Sequence, residues 1–273
     1  MTVLLQVSDA HFGTERPGVV RGLLTLAAEQ RPDVMVLSGD ITQRARRRQF
    51  DEARRFVDAI GPRQLLAIPG NHDIPLFDVL TRLLHPYRNF RRAFGEDLEP
   101  VLDLPDVLIV GVNTTRPRRH KHGEVSRLQV AQVAERLQLA RVEQLRLVVV
   151  HQPVHAPTPK DVVNVLRGAE EAIPEWSRAG ADLVLGGHVH LPFVRSLKAA
   201  NPGLARDMWT AQAGTAVSCR VRGGVPNSVN VVRCLAGTSA NRRCAVERWD
   251  YSEATARFGL VELHELSFAC AAS

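Results

Sequence analysis

Five short clusters in this chain carry Asp, Asn or His, three of them beside Gly: Ser8-Asp9-Ala10-His11, Gly39-Asp40, Gly70-Asn71-His72-Asp73, a solitary His151, and Gly187-His188-Val189-His190. Together they offer seven donors, Asp9, His11, Asp40, Asn71, His151, His188 and His190. Mixed imidazole and carboxylate ligands suit zinc, iron, manganese or nickel, whereas calcium and magnesium favour all-oxygen sites. No cysteine lies near these clusters, which argues against a structural zinc centre. One cluster alone proves little, since Gly-Asp after a strand is commonly a turn. Gly-His-x-His carries more weight, because two histidines flanking one residue at a strand end rarely serve packing. The set in this order fits two metal ions with Asp40 as the bridge, at a separation of roughly 3.5–4 Å. A water held between them would ionise near neutral pH and attack phosphorus in line.

The elements behind these clusters are legible as apolar runs. Strands are predicted at Val3–Val7, 34–37, 65–68, 107–112, 145–150 and 183–185. Helices are predicted at 19–30, 49–60, 76–94, 126–140 (with Ser126 as the N-cap) and 161–178. Continuous apolar strands separated by helices imply an α/β fold with parallel strands covered on both faces. The five clusters then fall at strand carboxyl ends, where open sheets bind ligands. Beyond Pro192 short apolar runs at 208–212, 228–232 and 245–249 alternate with Gly, Pro and Asn, which predicts an antiparallel finish. One domain is expected over residues 1–273, with the motifs in about 1–195 and the antiparallel strands in about 205–265.

Composition excludes more than it assigns. The 273 residues carry 35 Lys and Arg against 29 Asp and Glu, a net charge of +6 that favours anionic ligands without naming one. No apolar stretch is long enough to span a bilayer, so no membrane partner is expected. Absence of a basic leader and of paired CxxC motifs fits a reducing cytoplasm, with Cys219, Cys234, Cys244 and Cys270 as small apolar fillers.

The series DAH, GD, GNHD, H and GHVH resembles the calcineurin-like metallophosphoesterase superfamily, and the match runs from Ser8 to His190. That resemblance implies a two-sheet β-sandwich flanked by helices, in α-β-β-α order. It assigns Asp9, His11, Asp40 and His190 to one metal, and Asp40, Asn71, His151 and His188 to the other. It makes His72 the catalytic histidine that contacts phosphate and protonates the departing oxygen, with Asp73 orienting it. Two divalent or trivalent ions are implied: manganese or iron, with zinc, nickel or cobalt also acceptable to such ligands. The segments GDITQRARRRQFDEA, GVNTTRP and GTAVSCRVRGGVPNSVNVV resemble bacterial class III cyclic-nucleotide phosphodiesterases, which implies small phosphodiester substrates and a homodimer.

Outside the motifs, Arg44, Asn113 and His155 are candidate substrate contacts. Arg44 opens the basic run 44–48 just after Asp40, Asn113 ends a strand, and His155 follows His151 closely. The second basic run, 116–122, reads as an exposed loop. No nucleic-acid module is recognisable, and aromatics for base stacking are scarce, so a nucleic-acid partner is not expected. The same cage serves monoesters, so a monoesterase, a protein phosphatase, a nuclease and a non-catalytic scaffold remain the alternatives.

Overall fold

The computed structural model describes residues 1–238 and 241–269. Twelve strands form two six-stranded sheets. The first has the order β12-β11-β10-β1-β2-β3, with β1 Val3–Val7, β2 Val34–Ser38, β3 Gln64–Ile68, β10 Ser228–Thr238, β11 Asn241–Ser252 and β12 Arg257–Ala269. The second has the order β4-β5-β6-β7-β9-β8, with β4 Val101–Asp103, β5 Val107–Gly111, β6 Leu145–Val149, β7 Leu183–Gly186, β8 Phe193–Ser196 and β9 Trp209–Gln212. The helices are α1 Pro17–Gln30, α2 Arg47–Ile60, α3 Val79–Leu84, α4 Arg88–Phe94, α5 Arg127–Gln138, α6 Ala169–Arg178 and α7 Leu197–Ala200.

The unbroken apolar runs have a simple cause: each strand feeds two different cores. Along β1, Leu4 enters the core between the sheets, while Val3, Leu5 and Val7 face α1 and α2. Along β6, Leu147 and Val149 point between the sheets, and Val148 packs toward α5 and α6. With the period of two, both faces are covered and no polar alternation survives. The layers are therefore helix, sheet, sheet, helix.

The motif-bearing strands run parallel, β1 with β2, β2 with β3, β5 with β6 and β6 with β7. They do not form one sheet. The clusters sit at strand carboxyl ends as expected, but on two edges: three come from the first sheet and two from the second. Twist brings the two edges together, and the cage closes across the sandwich.

Several boundaries differ for local reasons. The helix expected over 76–94 is two short helices, because Pro86 removes an amide donor between them. The helix expected over 161–178 begins only at Ala169; Pro159–Asn164 is a 3-10 turn, and Gly168 at φ 85° breaks the path. Ser126 caps α5 as expected, accepting from the Gln129 amide. The C-terminal strands are 11, 12 and 13 residues long, far longer than the apolar runs suggested. Cys234 and Cys244 fill the inter-sheet core, but Cys219 is exposed and fills nothing; Cys270 lies outside the described residues. Among the described residues no helix is long and apolar enough to cross a membrane.

Candidate metal centre

Six of the seven donors converge, and Asn71 lines the same cleft as Asp40. Asp9, His11 and His190 form one group, Asp40, His151 and His188 another, and within each the donor atoms lie no more than 4.8 Å apart. A third group joins His11 and Asp40 to His72 within the same limit. His190 Nε2 stands 3.4 Å from Asp9 Oδ1, His11 Nε2 3.8 Å from both Asp9 Oδ1 and Asp40 Oδ2, and His151 Nε2 3.3 Å from Asp40 Oδ1.

Hydrogen bonds outside the cage dictate which atoms face inward. The Nδ1–H of His151 donates to the Ser38 carbonyl at 2.9 Å, which turns Nε2 inward, 3.3 Å from both Asp40 Oδ1 and His188 Nδ1. The Thr215 hydroxyl donates to the Arg220 carbonyl, so it must accept from His190 Nδ1–H at 2.6 Å, which frees His190 Nε2. Asp9 Oδ2 accepts from Ser8 and from the His188 amide, so Oδ1 alone faces the cage. These are the outer partners that fix ligand tautomers in metal sites.

What remains inside lacks any partner. Asp9 Oδ1, both ring nitrogens of His11, Asn71 Oδ1 and His188 Nε2 are buried with no hydrogen bond. An orphaned buried polar atom costs about 1–3 kcal/mol, so open atoms on four neighbouring residues would be a large defect unless a ligand satisfies one on each. The donor set is mixed nitrogen and oxygen, and it fits transition-metal ions.

Electrostatics agree. Burial holds His11 well below the usual imidazole range against the pull of Asp40, and burial with neighbouring His151 drives His188 down to about 3. Both rings therefore keep open lone pairs. Burial also opposes charge on His151 and Asp40, but their attraction wins: His151 rises to about 9 and Asp40 falls well below the carboxylate range. The proton this pair holds is the one a bound cation would displace.

The backbone is strained to achieve this. Among the described non-glycine residues eight have positive φ, and five are Asp9 (51°), His11 (43°), Asp40 (49°), His188 (70°) and His190 (59°). Gly39, at φ 89°, must be glycine, because a Cβ there would run into the His151 ring.

A family model for calcineurin-like phosphoesterases matches residues 2–192. The chain belongs to that family. A probable cyclic nucleotide phosphodiesterase from Synechococcus sp. is 25% identical over 205 residues, which is 70% of this chain and 74% of that protein. A dimetal phosphatase from Danio rerio superimposes with a TM-score of 0.66 at 14% identity, over 99% of both chains. A purple acid phosphatase from yellow lupin seeds gives a TM-score of 0.74 at 10% identity over 97% of this chain; the phosphoesterase chain spans 53% of that longer one. At such identities the two structures show a shared fold.

In this phosphoesterase the cleft over the cage has a volume of about 490 Å³ and brings Asp40, Asn71, His72, His188 and His190 together with His120, Lys121, Lys160, Arg220 and Arg222. Four sequence expectations are corrected. Asp73 does not orient His72: its carboxylate accepts from the Ile41, Thr42 and Gly70 amides and the Thr42 hydroxyl, binding two motif loops together. Burial, reinforced by Asp40, raises Asp73 to about 6 despite those amides. His72 takes its orientation from the Gln43 carbonyl, 3.0 Å from Nδ1. Arg44 is exposed and stacks 5.3 Å over the Phe77 ring, outside the cleft lining. Asn113 turns its oxygen onto the Thr115 amide and hydroxyl, a local turn, and His155 lines a separate cavity beside α6.

The polar residue that sequence reasoning missed is Arg220. Its Nη1 reaches Gln43 Oε1 at 3.0 Å and His72 Nε2 at 3.5 Å. It sits in GTAVSCRVRGG, where only the resemblance drew notice and no spacing rule flags a clamp. Arg222 is also in the cleft, donating to Asp161 at 2.7 Å and to the Val189 carbonyl at 3.0 Å, which braces the Gly-His-x-His loop.

Proposed function

We propose that this phosphoesterase hydrolyses small phosphodiesters, with 3′,5′-cyclic nucleotides the leading class, at a centre of two metal ions. Asp9, His11, Asp40 and His190 would hold one ion, and Asp40, Asn71, His151 and His188 the other. The observation that carries the reading is a cage in which four residues, Asp9, His11, Asn71 and His188, hold buried atoms without partners beside a cationic cleft. Two bound ions of the manganese or iron type would supply an acidified water and neutralise charge at phosphorus.

The chain's own residues do the rest. His72 keeps its Nδ1 proton on the Gln43 carbonyl, so Nε2 faces the cleft and, once protonated, is placed to donate to a departing oxygen. Arg220 lies beside that nitrogen and is positioned to fork onto nonbridging phosphate oxygens as their charge grows. Lys121 and Lys160 on the cleft walls draw an anion inward. The diester preference draws on the Synechococcus relative's printed name and on the resemblance of the segment GTAVSCRVRGGVPNSVNVV to class III cyclic-nucleotide phosphodiesterases. A reducing compartment such as the cytoplasm suits the free thiols.

The test is the rate of manganese-loaded protein on matched chromogenic diester and monoester, with 3′,5′-cyclic AMP alongside. Diester preference with cyclic AMP turnover supports the full reading. Diester activity alone keeps the chemistry and removes the cyclic nucleotides. Monoester preference overturns the substrate class.

A further inference from the structure

Phe77, Val79, Leu80, Leu83 and Leu84 are 61–78% exposed, and no residue of α3 is buried. Single exposed apolar residues are ordinary on a protein surface; five on one short segment are not. A helix of six residues that buries nothing draws no folding stability from those side chains.

The segment is nevertheless held firmly. Arg82, in the middle of α3, donates to the carbonyls of Pro75 (2.8 Å), Pro117 (2.7 Å) and Arg119 (2.9 Å). Those bonds pin the apolar helix to the loop whose His120 and Lys121 line the metal cleft. Another wall of the same cleft carries Lys160, and beside it Val162 and Val163 are also exposed. The cleft mouth is thus rimmed by apolar side chains.

Charge selects the partner. Arg44, Arg88, Arg118 and Lys121 are exposed around α3, and the one acid on the segment, Asp78, is engaged as the helix cap on the Thr81 amide. A second copy of this chain packing through the patch about a two-fold axis would set these cations against their own equivalents. An apolar interior beneath an anionic surface satisfies both features.

We propose that Phe77 and α3, with the cations around them, form a docking surface for an anionic lipid bilayer, and that docking turns the cleft mouth toward the headgroups. The apolar side chains would enter the boundary between headgroups and acyl chains while the arginines meet anionic phosphates. Among the described residues no helix is long and apolar enough to cross a membrane, and this peripheral contact needs none. The proposal holds whichever phosphoester is cleaved.

Flotation of the purified chain with phosphatidylglycerol vesicles, and separately with phosphatidylcholine vesicles, tests it. Binding to phosphatidylglycerol that weakens with added salt is expected. Leu80→Ser with Leu83→Ser should reduce it by about tenfold or more, while Leu128→Ser with Leu139→Ser, on exposed apolar sites of α5 and its end, should not. Arg88→Glu with Arg118→Glu should reduce it without touching the apolar residues. Absence of wild-type binding, equal binding to both lipids, or unaltered binding by the two α3 leucine changes would overturn the proposal. So would a dimer in sedimentation that those changes dissolve, since it would give the patch to a second copy.

Discussion

Two buried polar clusters in this molecule have opposite bookkeeping. Asp182, just ahead of β7, accepts from Arg242 Nε at 2.9 Å, Arg242 Nη2 at 2.7 Å, Arg206 at 3.2 Å and the Arg146 amide at 2.9 Å. Arg242 belongs to β11, so this fully bonded pair joins the two sheets. The motif cluster, equally buried, leaves donor atoms of Asp9, His11, Asn71 and His188 with nothing. The first cluster pairs its buried carboxylate entirely within the chain and serves the fold. The second is complete only with a ligand, and it stores left-handed backbone strain at five of its residues. Open atoms such as Gln212 Oε1 and Ser228 Oγ occur singly elsewhere; what marks the motif cluster as functional is that its open atoms converge beside one cleft.

The contrast breaks first at Asp40. Asp40→Ala removes the carboxylate shared by both donor groups, so phosphoester turnover should fall by about 10³-fold or more. The metal-free variant should still fold, melting below the metal-free wild type because His151 loses its buried partner and the His72 amide its acceptor. Near-normal turnover in this variant would remove Asp40 from the chemistry.

The reverse pattern is expected at the other cluster. Arg242→Met leaves Asp182 buried with less compensation, which should cost about 3–5 kcal/mol of unfolding free energy in urea. Turnover per folded molecule should stay unchanged. A variant that folds normally but loses rate would mean the two clusters are coupled through β7.

Arg220 tests the boundary between them, since it is cationic, only partly buried and adjacent to the open cage. Arg220→Ala should lower kcat/KM by about 10²-fold, with metal content unchanged. A smaller effect on a diester than on a monoester would show that the guanidinium senses the second negative charge of the monoester.

The cage was legible in the sequence because its ligands need rigid local geometry, and local geometry leaves motifs. Gly39 precedes Asp40 because a Cβ would strike His151, and such necessity marks the sequence directly. The core strands were legible for a related reason: Leu4 and Leu5 feed different cores, so the run is apolar throughout. What did not show depends on tertiary approach. Arg220 comes to His72 from 148 residues away, and no spacing encodes that. Strand β12 was hidden because Leu260, Val261 and Leu263 are exposed among Arg257, Glu262 and Glu265 and a register shift opposite Arg248 and Trp249 breaks the alternation. Asp73 misled because a carboxylate beside a functional histidine has two uses, and here the amides of Ile41, Thr42 and Gly70 claim it.

The finest distinction lies in the outer support of the cage, where the bookkeeping is complete on one side and open on the other. Thr215 accepts from His190 Nδ1–H and donates to the Arg220 carbonyl. Thr215→Val keeps the shape and deletes both bonds, so His190 loses the partner that keeps its Nε2 lone pair facing Asp9. Metal affinity, read by titration into the stripped protein, should fall by about 10–100-fold, and excess metal should restore most of the turnover. Thr215→Ser returns the hydroxyl and should return the affinity, a rescue that a packing effect would not produce. A valine variant that binds metal normally but turns over slowly would shift the role of Thr215 from His190 to the strand end that carries Arg220. Either result separates a ligand's tautomer from a clamp's position, which the open half of the cage alone does not distinguish.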